Sequence, residues 1–343
     1  MLAGRLQSRV LDLTNSLFLN CAIHLSSPAQ NSSYIMISRR NIRVKVMQSL
    51  YTLSAHAQDM KQGEPQRLLQ KHLDESKELL VYLIYFIAEV AAYSEKDSFK
   101  RSGKHLPSEA DLNVNIKIAG NELLWKIKED PSLKTSWDQT KPQHRIDKEL
   151  VRKIYTELAE SDQYKRYIGT PSRTRAAEKE IVDYIFEELL LPNESFVAHV
   201  EETFTNWDDD SEMVVHLVKG YLQKPGSISL NTFISTEKLQ FAKSLLQTVA
   251  EKQELLESFI LPKLKNWDAE RLAALDMILM RMGVAELLFF ETIPPKVTIN
   301  EYIELAKDYS TAQSGQFVNG ILDSIHKDLV QEGKLQKTDF KKA

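Results

Sequence analysis

The feature that most constrains this chain is a helical hydrophobic period that recurs from residue 38 almost to the C-terminus. Near the start, Ile42, Val46, Leu50 and Leu53 follow one another at steps of four, four and three. That spacing puts them on one face of a helix. Near the other end, Phe317, Ile321, Ile325 and Leu329 recur at steps of four. Glycine and proline number 11 each in 343 residues, too few for the turns of an all-β fold. An all-α fold is expected.

Between these ends the pattern divides into segments. Helices are predicted over 71–93, 113–127, 147–160, 175–191, 194–204 and 211–222, the last stopped by Pro225-Gly226. Residues 94–112, with Gly103 and Pro107, are expected to form a loop, and 130–144, with Pro131 and Pro142, a linker. A long helix is predicted over 236–260 and another over 269–290, which Pro294-Pro295 prevents from continuing. Thr298 with Glu301 three residues on has the form of a capping box, flanked by Val297 and Tyr302 in the positions of a hydrophobic staple. Residues 310–314 form a polar turn before the last helix. The basic tail carrying Lys334, Lys337, Lys341 and Lys342 is expected to fray.

Net charge is −4, which argues against a surface coated for nucleic acid. One local bias runs the other way. From Ser38 to Gln58 the charged residues are Arg39, Arg40, Arg43 and Lys45, and no acid follows until Asp59. A mildly acidic body with one basic segment is able to hold an RNA backbone locally. Cys21 is the single cysteine, so an intramolecular disulfide or a cysteine-based zinc cage is excluded, and a reducing compartment fits.

At the N-terminus Arg5 and Arg9 precede an apolar stretch at 17–23, but Asp12, Asn15 and Asn20 spoil a signal peptide. Residues 1–35 are expected to be a loosely ordered extension, with Met36 the working start. Among apolar stretches, 79–92 comes nearest to a membrane span, and it is interrupted by Glu89 well short of the ~18 residues needed.

Signatures of catalysis are missing. No GxxxxGK[ST], GxGxxG or GxSxG occurs, and no histidine pair has the HExxH spacing. The pairs Glu187/Glu188 and Glu201/Glu202 lie on helices rich in other charges and are expected to be solvated faces. Asp208-Asp209-Asp210 lacks the alternation of a calcium loop and is expected to be a helix-start cluster favoured by the macrodipole. No catalytic residue, cofactor or metal ligand is assigned.

Two stretches together resemble the antitermination factor NusB family. The first is Arg39-Arg40-Asn41-Ile42-Arg43 through Gln48-Ser49-Leu50-Tyr51, similar to the family's opening helix, RRxxRxxxxQxLY. The second begins at Trp267-Asp268-Ala269-Glu270-Arg271-Leu272 and passes through Ala285-Glu286-Leu287. It continues as Ile293-Pro294-Pro295-Lys296-Val297-Thr298-Ile299-Asn300-Glu301, then Glu304-Leu305-Ala306-Lys307 and Phe317-Val318-Asn319-Gly320-Ile321-Leu322-Asp323. The family strings IPxKVxINEAIELAK and FVNGVLD are nearly reproduced, in order and at matching spacing.

The resemblance implies a helical bundle discontinuous in sequence. Residues 36–58 would supply its first helix and 236–332 its C-terminal helices; 59–235 would be a helical insertion and 333–343 a basic tail. It implies a cytoplasmic bacterial protein that binds single-stranded boxA-type leader RNA of ribosomal RNA operons together with ribosomal protein NusE, within an RNA polymerase antitermination complex. It implies neither catalysis nor entry into a membrane. The site residues implied are Arg39, Arg40, Arg43, Gln48 and Tyr51 on the opening helix, with Tyr309, Gln313 and Gln316 around the turn before the last helix. Arginines offer forked donors to phosphates and base edges, and tyrosine rings can stack on splayed bases. Gln313 stands where the family commonly has an acid, and Gly315-Gln316 replaces a more basic pair. Two alternatives carry different functions. One is a NusB-like module tied to ribosomal RNA methylation, which would need a cofactor-binding domain and catalytic cysteines. The other is an RNA-independent helical scaffold for a protein partner.

Overall fold

Helix α1 (Arg39–Ala55) starts where Ser38 Oγ accepts the Asn41 amide at 3.1 Å, and it buries Ile42, Val46, Leu50 and Leu53 as their spacing predicts. These observations come from a computed structural model, which describes residues 37–55, 63–226, 229–230, 233–264 and 273–337. All of them belong to one compact unit, 35–343. The expected extension at 1–35, the start at Met36, the Trp267–Leu272 motif and the tail lysines Lys341 and Lys342 lie outside the described residues.

Helix α2 (Glu64–Ser102) has 39 residues, about 58 Å of helix. It follows Gly63, which sits in the left-handed region at φ 82°, and Pro65 occupies its first turn. Its middle, from Leu79 to Ala91, is apolar on nearly every face, and Leu79, Val81, Leu83, Phe86, Ile87 and Val90 are fully buried. A helix of that composition must be covered all round. It is: α1 packs along its first half, and later helices cover the rest.

The helices that follow are α3 (Glu109–Leu112), α4 (Glu122–Glu129), α5 (Pro131–Thr140), α6 (Lys148–Glu160), α7 (Asp162–Gly169), α8 (Arg175–Tyr184), α9 (Glu194–Thr203) and α10 (Trp207–Gln223), of which α3, α5, α6 and α10 pack directly on α2. Tyr155 on α6 meets Tyr93 of α2 at 5.3 Å between ring centroids, and Phe196 on α9 meets Phe86 at 4.8 Å. The expected linker at 130–144 is instead mostly α5. Asp130 caps that helix by accepting the Ser132 amide, and Pro131 stands at its first position, where the missing N–H costs nothing. The prolines that suggested a linker mark helix starts.

The C-terminal third comprises α11 (Thr236–Glu251), α12 (Gln253–Ile260), α13 (Ala274–Phe289), α14 (Pro295–Tyr309) and α15 (Ser314–Gln331). The single helix expected over 236–260 breaks at Lys252. Helix α13 is its centre, packing against α1, α11, α12, α14 and α15. Gly283 permits the closest approach, since a Cβ there would lie 2.8 Å from Leu322 Cδ1 on α15.

Two expectations are corrected here. Helix α14 begins at Pro295, so Thr298 lies inside it, and its buried hydroxyl donates to Glu286 rather than capping. The tail does not fray at Lys337, whose ammonium donates to the carbonyls of Glu286 (2.8 Å) and Phe290 (2.7 Å) at the end of α13. Among the described residues there are fifteen α-helices and no strand, and the fold is all-α. None of these helices is long and apolar enough to cross a membrane.

Candidate nucleic-acid interface

The three arginines at the start of α1 reach three different helices. Arg39 pairs with Glu237 on α11, Arg40 Nη2 lies 2.9 Å from Asp308 Oδ2 on α14, and Arg43 turns inward to Glu286 on α13. The helical rotation of about 100° per residue accounts for this fan. Arg39 and Arg43 fall on nearly the same side and both lie over the Phe241 ring, at 5.7 and 5.4 Å, while Arg40 is displaced round the helix. Lys45 continues the series inward to Asp210 on α10, at 2.7 Å. Each base of α1 therefore faces a carboxylate from far along the chain, and the uncompensated charge read from the linear segment is neutralised in space.

Burial separates these pairs into two kinds. Arg43 is 2% exposed and Glu286 fully buried; the guanidinium engages both carboxylate oxygens, at 2.7 and 3.0 Å. Tyr302 Oη (2.6 Å) and Thr298 Oγ1 (3.2 Å) donate to the same carboxylate, and Glu301 approaches Arg43 at 3.4 Å. Burial by itself disfavours the Arg43 charge, but the hydrogen bonds and field of Glu286 outweigh it and hold its pKa above the ordinary arginine value. Burial and then Glu286 keep Tyr302 protonated well above the usual phenol range. Lys45 is equally sequestered, and Asp210 also accepts from Ser76 and Asn206. Removing one partner of such a pair costs about 3–5 kcal/mol. Arg43 is thus a core residue, which corrects its expected place among RNA-contacting arginines: no phosphate reaches a guanidinium enclosed by α13 and α14.

Arg39 and Arg40 differ. Their side chains are 39% and 41% exposed, and those of Glu237 and Asp308 are 75% and 51% exposed. Solvated pairs of this kind contribute about 0–1 kcal/mol, so either arginine can exchange its carboxylate for another anion.

Gln48 lies on the stripe of Arg40, eight residues on, and its amide donates to Asp209 at 2.7 Å. Tyr309 is half-buried at the end of α14. Its hydroxyl is pushed above the ordinary range first by burial and then by Asp209, Asp210 and Asp308, with Arg40 opposing. Arg40, Gln48 and Tyr309 are thereby gathered around Asp209 and Asp308. Tyr51, 52% exposed, ends the same stripe about 16 Å along the axis from Arg40. Gln313 and Gln316 are exposed at the start of α15. The turn before them is pinned by Ser314, whose hydroxyl accepts the Thr311 amide at 3.2 Å and lies 2.8 Å from the buried carboxylate of Asp276.

Sequence reasoning left Lys45 out of the site and paired none of the bases of α1 with its carboxylate. Glu286 carried a usable signal: it is the one acid in the apolar run 282–289 of α13, and such a residue needs a buried partner. Asp208–Asp210 do stand in the first turn of α10, as a helix-start cluster. Among the described residues no group of three or more His, Cys, Asp or Glu side chains could hold a metal ion.

Known proteins resemble this chain over its C-terminal part. The NusB family profile matches residues 202–327, a stretch that takes in α10 to α14 and most of α15. The transcription antitermination protein NusB of Salinibacter ruber (strain DSM 13855 / M31) is 41% identical over 132 residues, 38% of this chain and 76% of that protein. Its counterpart in Methylacidiphilum infernorum (isolate V4) is 49% identical over 83 residues, 24% of this chain and 58% of the relative. That of Chloroherpeton thalassium (strain ATCC 35110 / GB-78) is 40% identical over 98 residues, 29% and 46% respectively. This chain therefore spans three quarters of the first relative and about half of the other two. No solved structure matches it significantly. Identity of 41% across three quarters of a NusB protein, carried on an all-α bundle, means that the chain belongs to the NusB family.

Proposed function

We propose that this protein is a transcription antitermination factor that works by binding RNA and catalyses no reaction. Its ligand is the single-stranded boxA-type leader of ribosomal RNA transcripts, held jointly with ribosomal protein NusE in the antitermination complex of the bacterial cytoplasm. The family membership supports antitermination. One observation carries the RNA reading: Arg40 at the beginning of α1 meets Asp308 beside Tyr309 at the end of α14, across 268 residues of sequence. The arginine-rich start and the turn after α14 are therefore neighbours, as a shared RNA surface requires.

The surface consists of Arg39 and Arg40 for phosphates, Gln48, Gln313 and Gln316 for polar edges, and Tyr51 and Tyr309 as stacking faces. Arg43 supports it from within by anchoring α1. The bundle is discontinuous, with 36–58 and 236–332 in the RNA-binding domain and the helical elaboration confined to the part of 59–235 that precedes α10. The profile match from residue 202 and the ion pair between Lys45 and Asp210 extend the family-like part back to α10.

The test is a fluorescence-anisotropy titration of labelled boxA-type RNA, with and without NusE, against the protein and its Arg39→Ala/Arg40→Ala variant. Loss of both cations, which also leaves Glu237 and Asp308 uncompensated against the strand, should weaken binding at least tenfold. NusE should tighten it. Unchanged binding in the variant would refute the site, and absence of RNA binding with NusE present would refute the function.

A further inference from the structure

We infer that Glu237 and Asp308 are specificity-determining residues of the RNA surface, resident counter-charges that a transcript must displace from Arg39 and Arg40. This deepens the RNA-binding reading and rests on it. The observation behind it is the even matching of charge at the start of α1. The two buried bases, Arg43 and Lys45, have buried partners and structural work to do. The two exposed bases also have partners, Glu237 and Asp308, and these are more exposed than the arginines they face. A solvated pair adds almost nothing to the fold. Neither acid is needed to satisfy its arginine, which water would serve equally well.

The pairs do change what an approaching polyanion meets. A bare pair of arginines at a helix start attracts any phosphate backbone without regard to sequence. With Glu237 and Asp308 in place the two arginines and their partners carry no net charge, and nearby Glu304 is itself paired with Lys307. RNA gains an arginine–phosphate contact only by ejecting a carboxylate, and it then holds its phosphate beside that displaced charge. The exchange is close to neutral for a strand offering phosphates alone. It becomes favourable when base stacking and polar contacts elsewhere on the surface add to it. The two acids thus subtract from all binding and leave the sequence-dependent part dominant, which is selectivity by a repulsive element.

The test compares wild type with the Glu237→Gln/Asp308→Asn double variant. Both are titrated by anisotropy against boxA-type RNA and a scrambled RNA of equal length, with NusE present, from 50 to 300 mM KCl. The expected result is at least tenfold tighter binding of the scrambled strand and a smaller gain for the boxA-type strand, so that the ratio between them falls. The salt slope for single strands should steepen by up to about 1.4, the value for two uncovered cations at about 0.7 each. Both acids are exposed, so the thermal midpoint should stay within error, which separates charge from folding. If the variant binds both RNAs as wild type does, while Arg39→Ala/Arg40→Ala still loses binding, the counter-charge proposal is overturned and the RNA site stands. If that arginine variant also binds as wild type does, the site reading fails with it.

Discussion

Replacing Glu286 by glutamine should destabilise this protein more than any change at the proposed RNA surface. The substitution keeps the shape of the side chain and removes its charge. Arg43, 2% exposed, would then face an amide where two carboxylate oxygens now sit at 2.7 and 3.0 Å. Breaking one side of a buried pair costs about 3–5 kcal/mol. Total domain stability is of order 5–15 kcal/mol, so about a fifth of it or more would be lost. Urea unfolding followed by far-UV circular dichroism, with m near ~3 kcal/mol/M, should show the midpoint fall by roughly 1–1.7 M. Arg43→Met should cost a comparable amount by leaving the carboxylate unpaired. The double variant should cost less than the sum by at least ~1 kcal/mol, because the remaining amide still accepts from Tyr302 and no longer opposes a guanidinium. A loss below ~1 kcal/mol for Glu286→Gln, or strictly additive single changes, would refute the claim that α1 is anchored by this pair.

Three further outcomes follow from other contacts. Asp210→Asn leaves the Lys45 ammonium buried without its counter-ion and should lower stability by about 3–5 kcal/mol in thermal or urea unfolding. Tyr51→Ala should leave stability within ~0.5 kcal/mol, because the ring is half exposed, yet weaken boxA-type RNA by the ~1–3 kcal/mol of one stacked base, read by anisotropy. Lys337 is lowered to about 8, chiefly by burial and against the opposing fields of Glu286 and Glu291. Between that value and the ordinary lysine value the unfolded chain keeps a proton that the folded chain has shed, so stability from this group rises with pH across that window. Lys337→Met should flatten the rise in urea midpoints measured from pH 8 to 10.

Much of the fold was legible because periodicity is a local property. The stripe of α1, the stripe of α15 and the stop at Pro294-Pro295 are all set by residues within a few turns of one another. Thr298 misled because Thr-x-x-Glu is a start signal only when nothing upstream is already helical, and Pro295 opens α14 three residues earlier. At 130–144, Pro131 has the look of a linker residue in the sequence, whereas in the structure it begins α5. The candidate site was legible in its parts and illegible in its charge. Arg39, Arg40, Arg43 and Lys45 stand together without an acid nearby in sequence, whereas their partners lie 165 to 268 residues away. Helical rotation sets Arg40 apart from Arg43, but whether either is buried depends on partners that only folding supplies.

The tie between Arg43 and Glu286 also has a consequence in time. The two residues are 243 positions apart. At ~5–20 residues per second, a ribosome delivers the second roughly 12–50 s after the first. Throughout that interval the opening helix must keep a guanidinium and its apolar stripe solvated or guarded, since the helix that will enclose them has not been made. Assembly of the arginine-bearing surface therefore waits for α13, and a chain ended before that helix would present α1 without the architecture that gives it a role.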